Sequence, residues 1–114
     1  MKIMQEDLCW VYITFSSKKE ARFIGKILVK QNLVACVNIL GEMISIFKWK
    51  GKISEDKEVA IIAKTRKELM PKIIKTVSKN HSYECPCILE LSIQGGNPKF
   101  LKWIETETEL IKNN

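Results

Sequence analysis

The apolar positions fall into runs whose period changes along the chain. Leu8-Cys9-Trp10-Val11-Tyr12-Ile13-Thr14-Phe15 is dense in β-branched and aromatic residues and reads as a first strand, buried on both faces with Trp10 and Tyr12 in the core. Ser17 followed by Glu20 forms a capping box that opens a helix from about Lys18 to Gln31. Its stripe is Ala21, Ile24, Ile27 and Leu28 with the flanking Phe23, while Lys19, Arg22, Lys26 and Lys30 face water. Asn32 is a reasonable stop. A strand-like stretch then runs from Leu33 to about Lys50, interrupted at Gly41-Glu42 in the manner of a bulge. Gly51-Lys52 supplies a turn, and Val59 to Ala63 returns as a strand. The resulting hairpin is long for a chain of this size.

Thr65 and Glu68 form a second capping box, opening a helix with Leu69, Met70, Ile73, Ile74 and Val77 inside. Pro71 is tolerated only in a first turn, which draws the start toward Met70. Ile88 to Ile93 alternates as a strand, with Leu89, Leu91 and Ile93 on one face. Asn97 then caps, and Pro98 opens, a last helix of about Lys99 to Ile111. The order is βαββαβ with an added C-terminal helix. That is the ferredoxin-like α+β arrangement, read as one domain over residues 1–114. The fold hosts many functions, so it constrains chemistry little. A hairpin that protrudes from a small sheet exposes edge groups and residues such as Ile46, Phe47 and Trp49, so oligomerisation is expected.

Composition narrows the partners. Hydrophobic residues make up 46% and charged residues 28% of the 114, as in an ordinary globular protein. The net charge of +6 comes from lysines spread along the chain, with arginine only at Arg22 and Arg66. Dispersed lysine reads as a solubilising surface, so no nucleic-acid partner is expected. The acidic residues in Met1 to Asp7 do not suit a signal peptide, and the apolar run Leu8 to Ile13 is too short to span a bilayer. Four cysteines without other marks of a secreted scaffold suit a reduced, cytoplasmic protein with no membrane partner.

Chemistry concentrates in Asn80-His81-Ser82-Tyr83-Glu84-Cys85-Pro86-Cys87, which holds the only histidine. An extended chain here sets Tyr83, Cys85 and Cys87 on the face of Leu89 and Leu91, with the thiols toward the core. Cys-x-Cys also lacks the paired spacing of structural zinc sites. His81 near a helix end can serve the helix dipole and its free carbonyls, and Glu84 can be a salt-bridge partner of Lys64. No Gly-x-Ser-x-Gly or phosphate-binding Gly-x-x-x-x-Gly-Lys motif occurs. Ser16-Ser17-Lys18-Lys19 stands where an acylphosphatase needs an anion-binding arginine loop, and the glycine-aromatic signature of an RNA-recognition module is missing.

Taken together, Ala35-Cys36-Val37-Asn38, Ser45 to Ile53, Asp56-x-Glu58-Val59, Lys64-Thr65, His81 to Pro86 and Asn97…Phe100-Leu101-x-Trp103 resemble the CutA divalent-cation tolerance family over roughly residues 9–108. The resemblance implies a ferredoxin-like subunit in a compact homotrimer, with architecture similar to the trimeric PII signalling proteins. It also implies a part in tolerance of copper and other divalent cations, and no enzymatic activity. Ser82 stands where the family has proline, which should loosen the turn. Phe47 and Phe100 stand where tyrosine is usual, and Asn80 and Thr14 replace two of three ligands proposed for copper in bacterial members, leaving His81.

Three functions follow as expectations. The first is weak binding of Cu(II) or another divalent cation by His81 and Glu84, in an inter-subunit cleft completed by Trp49, Lys64, Tyr83 and Trp103. The second is a PII-like regulator or scaffold holding a small anionic metabolite in the same cleft, at Lys64 beside a helix N-terminus beginning at Thr65. The third is an interaction module in which the cleft is packing alone.

Overall fold

The computed structural model describes residues 7–108. Strands β1 (Leu8–Phe15), β2 (Cys36–Trp49), β3 (Lys52–Arg66) and β4 (Ile88–Ser92) form one antiparallel sheet in the order β2-β3-β1-β4. Helices α1 (Lys18–Lys30), α2 (Met70–Asn80) and α3 (Pro98–Glu107) complete the ferredoxin-like α+β architecture with its added helix. The acidic start expected at Met1 to Glu6 and the helix end expected at Ile111 lie outside the described residues.

Local chemistry sets several boundaries. Ser17 Oγ accepts the Glu20 N–H at 3.2 Å and starts α1. At its other end Asn32 takes a left-handed φ of 58°, so that Leu33 N–H reaches Leu28 O and Asn32 N–H reaches Val29 O, both at 3.0 Å. These are the two bonds of a Schellman stop. The β2–β3 register slips between Leu40 and Met43, where Gly41-Glu42 was expected to bulge. The hairpin turn is Lys50-Gly51, one residue earlier than expected. Both residues have positive φ, 50° and 79°, as the turn that matches strand twist requires. Asn97 Oδ1 accepts the Lys99 N–H at 2.9 Å, with Pro98 opening α3.

The second capping box does not form. Thr65 is wholly buried in β3, where its Oγ1 donates to Leu33 O at 2.5 Å, and Glu68 pairs with Arg66 at 3.3 Å. Strand pairing of Thr65 with Cys9 and of Arg66 with Leu8 extends β3 to Arg66 and overrides the local signal. A single 3₁₀ turn, Lys67–Leu69, leads into α2 at Met70, with Pro71 in its first turn. β2 likewise begins at Cys36, after a buried Leu33 to Ala35.

The core lies between one face of the sheet and helices α1 and α2. Val11, Ile13 and Phe15 from β1 and Val59, Ile61 and Ala63 from β3 meet Ile24 and Leu28 of α1 and Ile73 and Val77 of α2. A smaller cluster, Leu8, Ala35 and Ile104, seats α3 across one end. Arg66 secures that helix by donating to Glu105 O at 2.5 Å and Thr108 Oγ1 at 3.0 Å.

The opposite sheet face departs from expectation. Trp10 is 42% exposed, beside Leu91 and Lys64 in register, and Leu89 and Leu91 are exposed with it. Cys85 is exposed and Cys87 half-buried, so the face they share with these leucines is not the core of one chain. Apolar composition marks a surface to be covered without saying what covers it. Phe23, expected on the flank of the α1 stripe, is exposed as well.

Thr65 offers a direct check on this packing. Thr65→Val removes the Oγ1 donor from the buried Leu33 carbonyl, so unfolding free energy should fall by about 1–3 kcal/mol in urea titration. An unchanged midpoint would show that the Leu33 carbonyl finds another partner.

Candidate functional site

His81 ends α2 as its C-cap, in extended conformation, and turns its ring back onto the end of β1. The side chain has 0% exposure and stacks on Phe15, ring centroids 4.9 Å apart and 14° between planes. Nε2 lies 2.8 Å from Thr14 O, and Nδ1 lies 3.0 Å from the Tyr83 backbone nitrogen. A carbonyl only accepts and a peptide N–H only donates. Nε2 therefore carries the proton and Nδ1 holds the lone pair, a neutral ring with both nitrogens satisfied. The ring does not serve the carbonyls of its own helix; Asn80 Nδ2 does, donating to Thr76 O at 2.8 Å.

Glu20 holds the turn that follows. Its carboxylate accepts from the Ser82 N–H at 2.7 Å and from Ser82 Oγ at 3.0 Å, and its Oε2 sits 4.0 Å from His81 Nδ1. Ser16 Oγ adds a weaker contact to the same group at 3.5 Å. A proline at position 82 has no N–H to give, so the serine exchanges a rigid ring for two charge-assisted bonds. The turn is held and not loosened. The acid of the α1 capping box thus reaches 62 residues along the chain, beyond any local reading.

Tyr83 continues the site. Its ring meets His81 at 4.8 Å and its hydroxyl donates to Glu58 Oε2 at 2.8 Å. Burial, the bond to Glu58 and the charges of Glu58, Glu20 and Asp56 push the phenol up to about 12. Tyr12 is raised too, by burial first and then by Cys87 and Glu58, and its hydroxyl points at Met43 Sδ 3.8 Å away. Burial also raises the Cys87 thiol, against a lowering bond from Thr14. The deepest thiol, Cys9, is driven to about 11 by burial, with Glu90 raising and Lys67 lowering it.

Lys64 and Trp49 do not gather around His81 within one chain. Lys64 is half-buried, its Nζ donating to Asn38 Oδ1, four residues along β3 from the Ala60 that pairs with Thr14. That offset is roughly 14 Å at the usual strand rise. Lys64 also lies within a strand, since the helix expected at Thr65 starts further on. Trp49 pairs with Lys52 at the hairpin tip, roughly 40 Å from Lys64 by the same rise. Trp103 lies on α3 against Phe100, with centroids 5.3 Å apart. Glu84 is exposed and forms no ion pair among the described residues. No three His, Cys, Asp or Glu side chains converge among those residues as cation ligands do, so one chain does not fit a resident metal. No helix among them is long and apolar enough to cross a membrane.

Comparison with known proteins agrees with the resemblance in the sequence. The family described as CutA1 divalent ion tolerance protein matches residues 9–107. Protein CutA of Mus musculus is 37% identical over 103 residues, which are 90% of this chain and 58% of the mouse protein. The chain thus spans little more than half of that relative. The divalent-cation tolerance protein CutA of Thermus thermophilus is 40% identical over 98 residues, 86% of this chain and 95% of that one. The solved structure of the periplasmic divalent cation tolerance protein CutA of Archaeoglobus fulgidus superposes with a TM-score of 0.87 at 41% identity, covering 90% of this chain and 99% of that one.

The Tyr83–Glu58 bond carries a signed pH dependence. The unfolded phenol ionises near 10.0 and the folded one near 12, so the folded state keeps a proton that the unfolded state loses between them. This stabilisation is complete below pH 10.0 and is lost as pH rises toward 12. In a Tyr12→Phe background, tyrosinate absorbance should rise with a midpoint near 12, and adding Glu58→Gln should draw it down toward 10.0. A midpoint already at the ordinary value would contradict the bond.

Proposed function

The chain belongs to the CutA1 divalent ion tolerance family, and from that premise we propose that it acts as a homotrimer binding divalent cations weakly at the clefts between subunits. Copper is the cation we expect to bind best, since Cu(II) leads its neighbours on nitrogen and mixed donors. The role is tolerance or response to metal, without catalysis. The observation that carries this reading is the apolar surface one chain leaves uncovered. Ile44 is 68% and Ile53 77% exposed on the hairpin beyond the bulge, joined there by Ile46 and Trp49. Patches of that kind mark an interface.

β2 and β4 are the two edges of the sheet, and contacts between unlike edges of successive copies form a ring when the rotation closes, which in this reading it does at three copies. A ring also supplies what one chain lacks, because Trp49 on a neighbour's hairpin can approach a cleft that its own chain cannot. In this reading Trp49 and Trp103 form aromatic walls, Lys64 contributes positive charge and Tyr83 lines the site. His81 and Glu84 contact the metal. Binding is weak because His81 must give up the Tyr83 N–H to free Nδ1, and donors must come from more than one subunit. The four free thiols support a reducing compartment, the cytoplasm.

The second reading, a PII-like regulator or scaffold for a small anion, rests on Lys64, half-buried on the open sheet face beside Trp10 in register. The absence of a helix start at Thr65 removes the dipole that had favoured it.

Calorimetric titration with Cu(II) separates the two. Weak binding that falls by about tenfold or more in His81→Ala, and less steeply in Glu84→Ala, is expected for ligands of a cation. Equal binding by wild type and His81→Ala would remove His81 from the site. A small anion whose thermal stabilisation disappears in Lys64→Ala would favour the second reading.

A further inference from the structure

Helices α1 and α2 lie on the far side of the sheet from the uncovered apolar face, so the assembly proposed above leaves their outward faces in water. They carry eight of the 19 basic residues and one of the 13 acidic ones, which leaves 11 basic against 12 acidic residues everywhere else. Lysines that are spread along the sequence are thus gathered in space on one side of the molecule. The one acid, Glu20, is committed to Ser82, and none of the eight cations forms an ion pair among the described residues.

The outermost line of each helix follows from its buried side. α1 buries Ala21, Ile24, Gly25 and Leu28, and α2 buries Met70, Ile73 and Val77. At about 100° per residue, the line opposite the first set runs through Lys19, Phe23, Lys26 and Lys30, and the line opposite the second through Lys72, Lys75 and Lys79. All seven are exposed. Phe23 is 56% exposed, the highest value for a large apolar side chain in any described helix. A phenylalanine at the crest of a helix, where a polar residue is the rule, gains little from the fold of its own chain. Lysines stand one turn to either side of it.

We propose that this face docks on the surface of an anionic lipid bilayer, with the lysines over the charged headgroups and the Phe23 ring in the boundary between headgroups and acyl chains. Lysine suits that role, since a compact charge on a flexible apolar stem meets a diffuse anionic surface, whereas arginine's planar fork suits a fixed carboxylate or phosphate. Phe23 decides between polyanions. A nucleic-acid duplex would satisfy the lysines and leave the ring against phosphates and water, while a bilayer takes both. Such a contact lies on the membrane and needs no spanning helix. One ring and a set of lysines each bind weakly alone, so the contact is reversible and depends on both.

Co-sedimentation of the full chain with lipid vesicles tests this. At physiological ionic strength the chain should partition onto phosphatidylcholine vesicles containing about one-third phosphatidylserine, and not onto phosphatidylcholine alone. Lys26→Glu/Lys75→Glu should lower the partition coefficient by about tenfold or more, since each lysine near an anionic surface is worth about fivefold. Phe23→Ser should lower it by about fivefold, while Phe23→Trp, which keeps an interfacial ring, should preserve it. These positions are exposed, so each variant should keep the Tm of the wild type. The proposal is overturned by absent or equal partition onto the two kinds of vesicle, or by Phe23→Ser binding as tightly as Phe23→Trp. Tighter binding of duplex DNA than of the anionic vesicles would overturn it too. So would a changed assembly mass in Lys26→Glu/Lys75→Glu, which would place another copy of the chain on this face.

Discussion

The sheet has two apolar faces, and one chain has helices enough to cover one of them. β1 sets the problem: Val11, Ile13 and Phe15 point into the core under α1 and α2, while Trp10 and Tyr12 point the other way with Leu89 and Leu91 beside them. The hairpin repeats it further out with Ile44, Ile46, Trp49 and Ile53. Full burial of an exposed side chain of this kind is worth about 1.5–3 kcal/mol, and each of these forgoes a part of it. Several together outweigh any single hydrogen bond in the molecule, typically worth about 1 kcal/mol net. Trp49 at the hairpin tip and Lys64 further along β3 likewise stand apart from His81 within one chain.

The turn at residues 81–83 is the most constrained part of the candidate site. Phe15 beneath the ring, Thr14 O and Tyr83 N–H at its nitrogens, and Glu20 on Ser82 fix both the tautomer and the orientation of His81. Glu58 then fixes Tyr83. This is a wall built for position more than for affinity. The Nδ1 lone pair of that histidine is already taken by the Tyr83 N–H.

How much of this was legible depended on the range of the interaction. Ser17, Asn97 and Gly41-Glu42 act within a few residues, and their caps and bulge could be read directly. Thr65 and Glu68 carried the same local signature as a capping box, yet pairing of β3 with β1 and a buried bond to Leu33 O claimed Thr65 instead. Trp10, Cys85 and Cys87 were legible as apolar but not as uncovered, because hydrophobicity does not name the covering surface. Glu20 and Glu58 were missed as site residues since their partners lie 62 and 25 positions away. His81 was found because a lone histidine in a run of polar and thiol groups stands out, but its satisfied nitrogens depend on backbone groups that no motif displays.

The claim on which the rest depends is that the open sheet face and the hairpin are interior surfaces of an assembly. Sedimentation equilibrium tests it directly, on the wild type and on a variant carrying Ile44→Lys and Ile53→Lys. The account predicts a mass of three chains for the wild type and a lighter, dissociated species for the variant. A wild-type chain that sediments as a stable monomer at micromolar concentration, with the same Tm as the variant, would contradict it.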